Sequence, residues 1–234
     1  MPDKHLSSQF DNDLNALCGS LLEMGGLVES QVSIAMKAFS QLDSDLADQV
    51  MMREAEVNNF EISIDQACTE LIAKRQPTAR DLRLVMAVSK AITNLERAGD
   101  EADRIAKRTK HILEDSASHG INTAEIRVSG QMAVSLLRRS LDCFARLDTV
   151  IAAEVVNEDK QIDEEFKAFV RKLTSYMVED PRTISVGLDM LSIAKAVERI
   201  GDHAKNIAEF VIYIVKGSDI RHTPQDNVIR EANS

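Results

Sequence analysis

Tryptophan is absent from the 234 residues, tyrosine occurs twice, and the aromatic share is 4%. A β-sandwich or barrel builds its core from alternating aromatic and β-branched residues, so this scarcity argues against both. Proline is sparse as well, at four, which leaves long windows open to helix. Cysteine appears three times, as Cys18, Cys68 and Cys143, far apart and among apolar residues. So scattered and odd-numbered a set excludes a disulfide framework and a zinc site, and reads as reduced, buried thiols of a cytoplasmic protein. No apolar run approaches the roughly 18 residues of a membrane span, and no positively charged leader with an apolar core opens the sequence. Contact with a membrane is therefore expected only through a partner. An excess of positive charge is also missing. The formal net charge is −10, whereas nucleic-acid backbones are held by clusters of Lys and Arg, so direct nucleic-acid binding is a poor reading.

The chain is instead rich in Ala, Leu, Met, Glu, Lys and Gln, the residues that lose least on entering a helix. Apolar residues recur at helical spacing from about Ser7, pause at "LDSD" (Leu42 to Asp45), and resume through Arg75. Asp43, Ser44 and Asp45 are N-cap candidates at that pause. Pro77 stops the second helix and opens a third that runs to "LEDSASHG". Beyond Gly120 the order repeats, with a pause at Leu147-Asp148 and a stop at "EDPR" before a last helix to about Lys216. The expected architecture is all-α: two tandem, similar three-helix bundles made from six long helices. The first spans 7–119 and the second 121–217, with a loose tail over 218–234.

The halves align by residue. At an offset of 105, Phe39, Leu42, Asp43, Ala47 and Val50 fall on Phe144, Leu147, Asp148, Ala152 and Val155. At an offset of 102, seven of the twelve positions from Leu95 to Ala106 are identical to Val197 to Ala208. Internal repetition of this kind marks a duplicated unit. The third helix carries the stripe Val85, Val88, Ile92, Leu95, Gly99, Ala102 and Ala106, matched by Met190, Ala194, Val197, Gly201, Ala204, Ala208 and Val211. Such stripes suit helices packed at coiled-coil-like angles.

Gly99 and Gly201 lie on the stripe, where a glycine costs about 1 kcal/mol relative to Ala. Repetition of that cost points to tight packing, or to something held close between helices. Glu96 with Asp100, and Glu198 with Asp202, are like-charged i,i+4 pairs on the bundle shoulder, as are Asp159 with Asp163. Glu54 and Asn58 stand at the positions of this last pair in the first half. Converging carboxylates on two helices suit hard or borderline cations such as Mg, Mn, Fe or Zn. A solvated acidic face quenched by Arg97, Arg199 or Lys205 is the alternative. Asn58 brings no charge, so the second half is expected to bind a cation more tightly than the first. His203 is expected at the surface. Arg104, Lys107, Arg108, Lys110 and His111 gather where they complement the dipole at the end of the third helix. Arg80 and Arg83 are either partner contacts or local caps. A di-iron enzyme would need Glu-x-x-His on two helices, and neither that motif, nor a phosphate-binding glycine loop, nor a nucleophile context is present. No organic cofactor and no catalytic residue is expected.

The stretches "QPTARDLR", "NLERAGDEADRIAK", "VEDPR" and "VERIGDHAKNIAE", in this order, resemble the PhoU family of bacterial phosphate-signalling regulators over about residues 7 to 217. The resemblance implies a cytoplasmic negative regulator of the phosphate regulon. Such a protein links the ATP-binding subunit of the phosphate ABC transporter to the sensor histidine kinase, and the homodimer is its expected form. Some members of the family bind multinuclear iron or zinc clusters through Glu/Asp-xxx-Asp motifs. The matching positions here are Glu54, Asn58, Glu96, Asp100, Asp159, Asp163, Glu198 and Asp202, of which Asn58 departs from the pattern. A metal-dependent carboxylate enzyme or a metal store is the competing class.

Overall fold

A computed structural model of the chain describes residues 8–114 and 121–220. Seven α-helices follow one another: α1 (Ser8–Gln41), α2 (Ser44–Met51), α3 (Glu54–Arg75), α4 (Ala79–Glu114), α5 (Ala124–Arg146), α6 (Thr149–Glu179) and α7 (Ile184–Lys216), with a 3₁₀ turn at Pro181–Thr183. No strand occurs among the described residues. The segment around Gly120, proposed above as the boundary between halves, and the tail from 221 lie outside the described residues. Ile220 still reaches the core, at 3% exposure.

The six expected rods are present, three in each half. The second rod of the first half is interrupted at Met52 and Arg53, which divides it into α2 and α3. The cause lies in the neighbouring helix. Gln31 of α1 is fully buried and donates from Nε2 to the Val50 carbonyl at 3.2 Å, while Arg53 N reaches the same carbonyl at 3.1 Å. Arg53 also donates to Ser30 Oγ at 2.9 Å. In the second half these two positions are Leu136 and Glu158. Leu136 has no amide to offer and Glu158 is taken by Arg139, so α6 runs unbroken.

The pauses between first and second rods are built alike. Leu42 (φ 52) and Leu147 (φ 53) both adopt the left-handed conformation. The next residue bonds five positions back, Asp43 N to the Ala38 carbonyl at 3.0 Å and Asp148 N to the Cys143 carbonyl at 2.9 Å. Asp43 Oδ1 then caps α2 through Asp45 N and Leu46 N, and Asp148 Oδ1 caps α6 through Val150 N and Ile151 N. Leucine is strained in this region and Leu42 is 44% exposed. Leu42→Gly is therefore expected to stabilise the protein by about 0.5 kcal/mol, the relief of strain exceeding the added freedom of the unfolded chain. Leu147→Gly should not, because Leu147 packs on the core. Urea unfolding of both variants checks this.

The third rods join the halves. α4 and α7 pack antiparallel, from Arg83 beside the Ile214 carbonyl (3.4 Å) to Arg108 on Asp189 (2.9 Å). Every residue of both predicted stripes is buried, and α1 against α5 closes the other side of a core that runs through both halves.

Two acidic grooves and the family they identify

The glycines sit where the sequence places them, facing neighbouring helices, but their neighbours differ. A Cβ on Gly201 would stand 2.9 Å from Asp159 Oδ1 and 2.9 Å from Ile162 Cδ1, both on α6. A Cβ on Gly99 would stand 3.3 Å from Gln31 Oε1 and 3.5 Å from Val57 Cγ1. Val57 and Ile162 are repeat equivalents at an offset of 105, and so are Glu54 and Asp159. Only Asp159 reaches its glycine. The break before Glu54 leaves that side chain half exposed, whereas Asp159 is 3% exposed.

In the second half the four predicted carboxylates lie close enough for each other's charge to be felt. Burial first, then Asp159, Glu198 and Asp163, push Asp202 up to about 6. Burial also raises Asp159, against the pull of Lys205, whose Nζ lies 3.2 Å from Asp159 Oδ2. Lys195 holds Glu198 Oε1 at 2.6 Å, while Glu198 Oε2 is buried without a hydrogen-bond partner. In the first half Glu96 is raised by burial and then by Asp100, Glu61 and Glu54, which places these four on one groove. Glu61, held by the Thr93 hydroxyl at 3.1 Å, was not singled out from the sequence. Its position on the same helical face as Glu54 and Asn58, one turn further on, was the available signal. Asn58 is half-buried on that helix. The first groove continues as a cavity of about 710 Å³ bordered by Glu54, Asp100, Asp103 and Lys107.

Several expectations change. The grooves are less open than a shoulder position suggests, since Asp159 and Glu198 are largely covered by the facing rods. His203 is half-buried rather than exposed. It lies between α4 and α7, 3.1 Å from Asn94 Oδ1, and burial, then Arg97 and Arg199, bring it down to about 4. Arg199 does point away from its own stripe, but it reaches across to buried Glu101 of α4 at 3.0 Å, and Arg104 holds the same carboxylate at 2.9 Å. The basic end of α4 does more than complement a dipole: Lys107 pairs with Asp103, Lys110 with Asp48 and Arg108 with Asp189. Arg83 lies against the last turn of α7, and Arg80 is half-buried near the start of α4. Cys68 and Cys143 are buried and Cys18 partly so, and burial lifts the three thiols to about 12, 12 and 11.

As the side chains stand, no three acidic, His or Cys groups among the described residues are gathered closely enough to hold one ion. The donor chemistry nonetheless fits a hard cation: mutually repelling carboxylates, a buried carboxylate oxygen without a partner, and a bare backbone at Gly201 that lets Asp159 Oδ1 approach closely.

These features define a class: a duplicated all-α bundle whose two halves each carry an acidic groove beside a helix-interior glycine. Residues 21–109 and 126–211 each match the PhoU domain, and the chain belongs to the PhoU family. A Burkholderia sp protein described as a phosphate-specific transport system accessory protein PhoU homolog is 53% identical over 233 residues, covering 99% of each chain. The Escherichia coli (strain K12) phosphate-specific transport system accessory protein PhoU is 44% identical over 226 residues, covering 97% of this chain and 93% of that one. The crystal structure of PhoU from Pseudomonas aeruginosa superposes with a TM-score of 0.87 at 43% identity, over 89% of this chain and all of that one. The Streptococcus pneumoniae phosphate transport system regulatory protein PhoU gives 0.82 at 27% identity, over 90% and 98%. No described helix is long and apolar enough to cross a membrane.

Proposed function

We propose that this protein is the accessory regulator of a phosphate transport system: a cytoplasmic, homodimeric adaptor that joins the ATP-binding subunit of the phosphate ABC transporter to the sensor histidine kinase and silences the phosphate regulon when phosphate is plentiful. The observation that carries the reading is the near-complete alignment with relatives named for that system, at up to 53% identity among those compared. The site chemistry agrees with a role in contact rather than catalysis. The three thiols are held protonated at neutral pH by burial, and the acidic grooves offer oxygen ligands.

In this reading Glu54, Asn58, Glu96 and Asp100 of the first groove, and Asp159, Asp163, Glu198 and Asp202 of the second, hold Mg, Mn, Fe or Zn ions. A bound cation there would neutralise the grooves and offer an acidic partner surface a bridging charge. Arg80 and Arg83, at the start of α4, are assigned to partner contact. The test is a strain lacking this gene, assayed for alkaline phosphatase in high phosphate. Constitutive expression is expected, restored to silence by the wild-type gene. Normal silencing in the deletion strain would remove the regulatory reading, and failure to recover the kinase or the transporter ATPase with the tagged protein would remove the adaptor.

A further inference from the structure

The two grooves are repeat equivalents, yet at three matched positions their charges diverge in the same sense. Asp103 of the first half corresponds to Lys205 of the second at an offset of 102, and Thr93 to Lys195. Glu61 corresponds to Phe166 at an offset of 105. The structure shows what these exchanges do. Lys205 lies over the second groove with its ammonium 3.2 Å from Asp159, and Lys195 holds Glu198 at 2.6 Å while lying 5.4 Å over the Phe166 ring. Two of the four predicted donors of the second groove are thus already engaged by ammonium groups. In the first groove Glu54, Glu61, Glu96 and Asp100 have no ion pair among the described residues. Of the basic residues that border its cavity, Arg104, Arg108 and Lys110 are held by Glu101, Asp189 and Asp48, and Lys107 is drawn to the rim by Asp103 at 2.5 Å and is 55% exposed, against 31% for Lys205. Asp103, 6% exposed, keeps its other oxygen buried without a hydrogen-bond partner at the edge of the first cavity.

The order of acid and base at these i,i+4 positions is reversed between the halves. Asp103 then Lys107 in α4 becomes Lys205 then Glu209 in α7, which moves the ammonium one turn nearer the carboxylates. An ammonium and a divalent cation compete for the same oxygens, and a tethered one competes at high effective concentration.

We propose that Lys205 is the built-in cation of the second groove, and that the first groove, with Glu61 added to its donors, is the one that takes a free divalent cation. This reverses the ranking that Asn58 alone suggests; it rests on the reading of the grooves as cation sites, and it replaces the metal ion assigned above to Asp159, Asp163, Glu198 and Asp202 with the Lys205 ammonium. Loss of the Lys205 charge would free Asp159 beside Gly201 and convert the second groove into a second divalent site.

Mn²⁺ titration of the chelator-stripped full chain, followed by calorimetry and by the electron paramagnetic resonance of bound Mn²⁺, tests this. In the wild type, Glu96→Gln with Asp100→Asn should abolish the tightest binding, and Glu198→Gln with Asp202→Asn should leave it unchanged. Lys205→Met should add a further site that binds at least about ten-fold more tightly than the wild-type second groove, since one positive charge within a few ångströms has gone. Should Lys205→Met fold poorly, the exchange Lys205→Asp with Glu209→Lys, which copies the order of the first half, should produce the same added site. The proposal is overturned if Mn²⁺ binding in the wild type depends on Glu198 and Asp202 instead, or if neither Lys205 variant changes the number of sites. Absence of Mn²⁺ binding in the wild type and in every variant would overturn the cation reading of the grooves and this proposal with it, a result distinct from binding in the wrong groove.

Discussion

Gly201→Val is expected to destabilise the protein by about 3 kcal/mol, the upper part of the range for overpacking a filled core. The first added carbon meets Asp159 Oδ1 and Ile162 Cδ1 at 2.9 Å each, closer than a real Cβ tolerates, and valine adds two methyl groups to it. Neither neighbour moves away freely. Asp159 is tied to Lys205, and Ile162 is 1% exposed in the core. Gly201→Ala should cost less, about 1 kcal/mol, because alanine recovers about 1 kcal/mol of helix propensity against the clash. Gly99→Ala is expected to lie within about 0.5 kcal/mol of wild type, since its nearest contact is a 3.3 Å approach to the end of the Gln31 side chain. Urea unfolding of the three variants measures the differences. Equal effects of alanine at the two glycines would contradict the asymmetry of the grooves.

The second large effect concerns pH, and two adjacent residues carry it with opposite signs. Asp202 titrates at about 6 in the fold against 3.8 unfolded. Between those values the folded chain holds the extra proton, so stability declines as pH rises, and the full penalty is present above pH 6. His203 titrates at about 4 in the fold against 6.5 unfolded. There the unfolded chain holds the extra proton, so stability declines as pH falls from 6.5 to 4. Each shift of about two units corresponds to roughly 3 kcal/mol; for half-exposed Asp202, solvent screening reduces this to about 1–2 kcal/mol. In chelator-treated wild type the two slopes largely cancel between pH 4 and 6. Asp202→Asn should therefore gain about 1–2 kcal/mol at pH 7, lose that gain by pH 4, and show an acid-side decline that the wild type hides. His203→Asn should show the reverse, becoming more stable as pH falls from 6 to 4. Thermal unfolding across this pH range tests both, and parallel curves for the two variants would refute the opposing assignments.

The residues differ in how plainly they announced their roles. The Leu-Asp pauses could be read directly as pauses, with Asp43 one of three N-cap candidates at the first; the left-handed leucines and the cap at Asp148 came from the structure. The stripes through Gly99 and Gly201 were equally plain, because one helix's period needs no partner to define it. The break at Met52 and Arg53 was not, because the group that stabilises it, Gln31, sits on another helix 19 positions from the carbonyl it bonds. His203 was assigned to the surface on its angle within α7, and only the antiparallel seating of α4 against that face covers half of it. Glu101, buried between Arg104 and Arg199, also required that interface to be recognised.

By itself the sequence determined the helical class, the duplication, the positions of the caps and glycines, and the acidic pairs, since all of these follow from spacing within one segment. Only the tertiary structure decided which ammonium enters which groove, where the second rod breaks, and how the two halves join through α4 and α7. Those outcomes depend on which side chains meet across helices, and no single helix's periodicity contains that information.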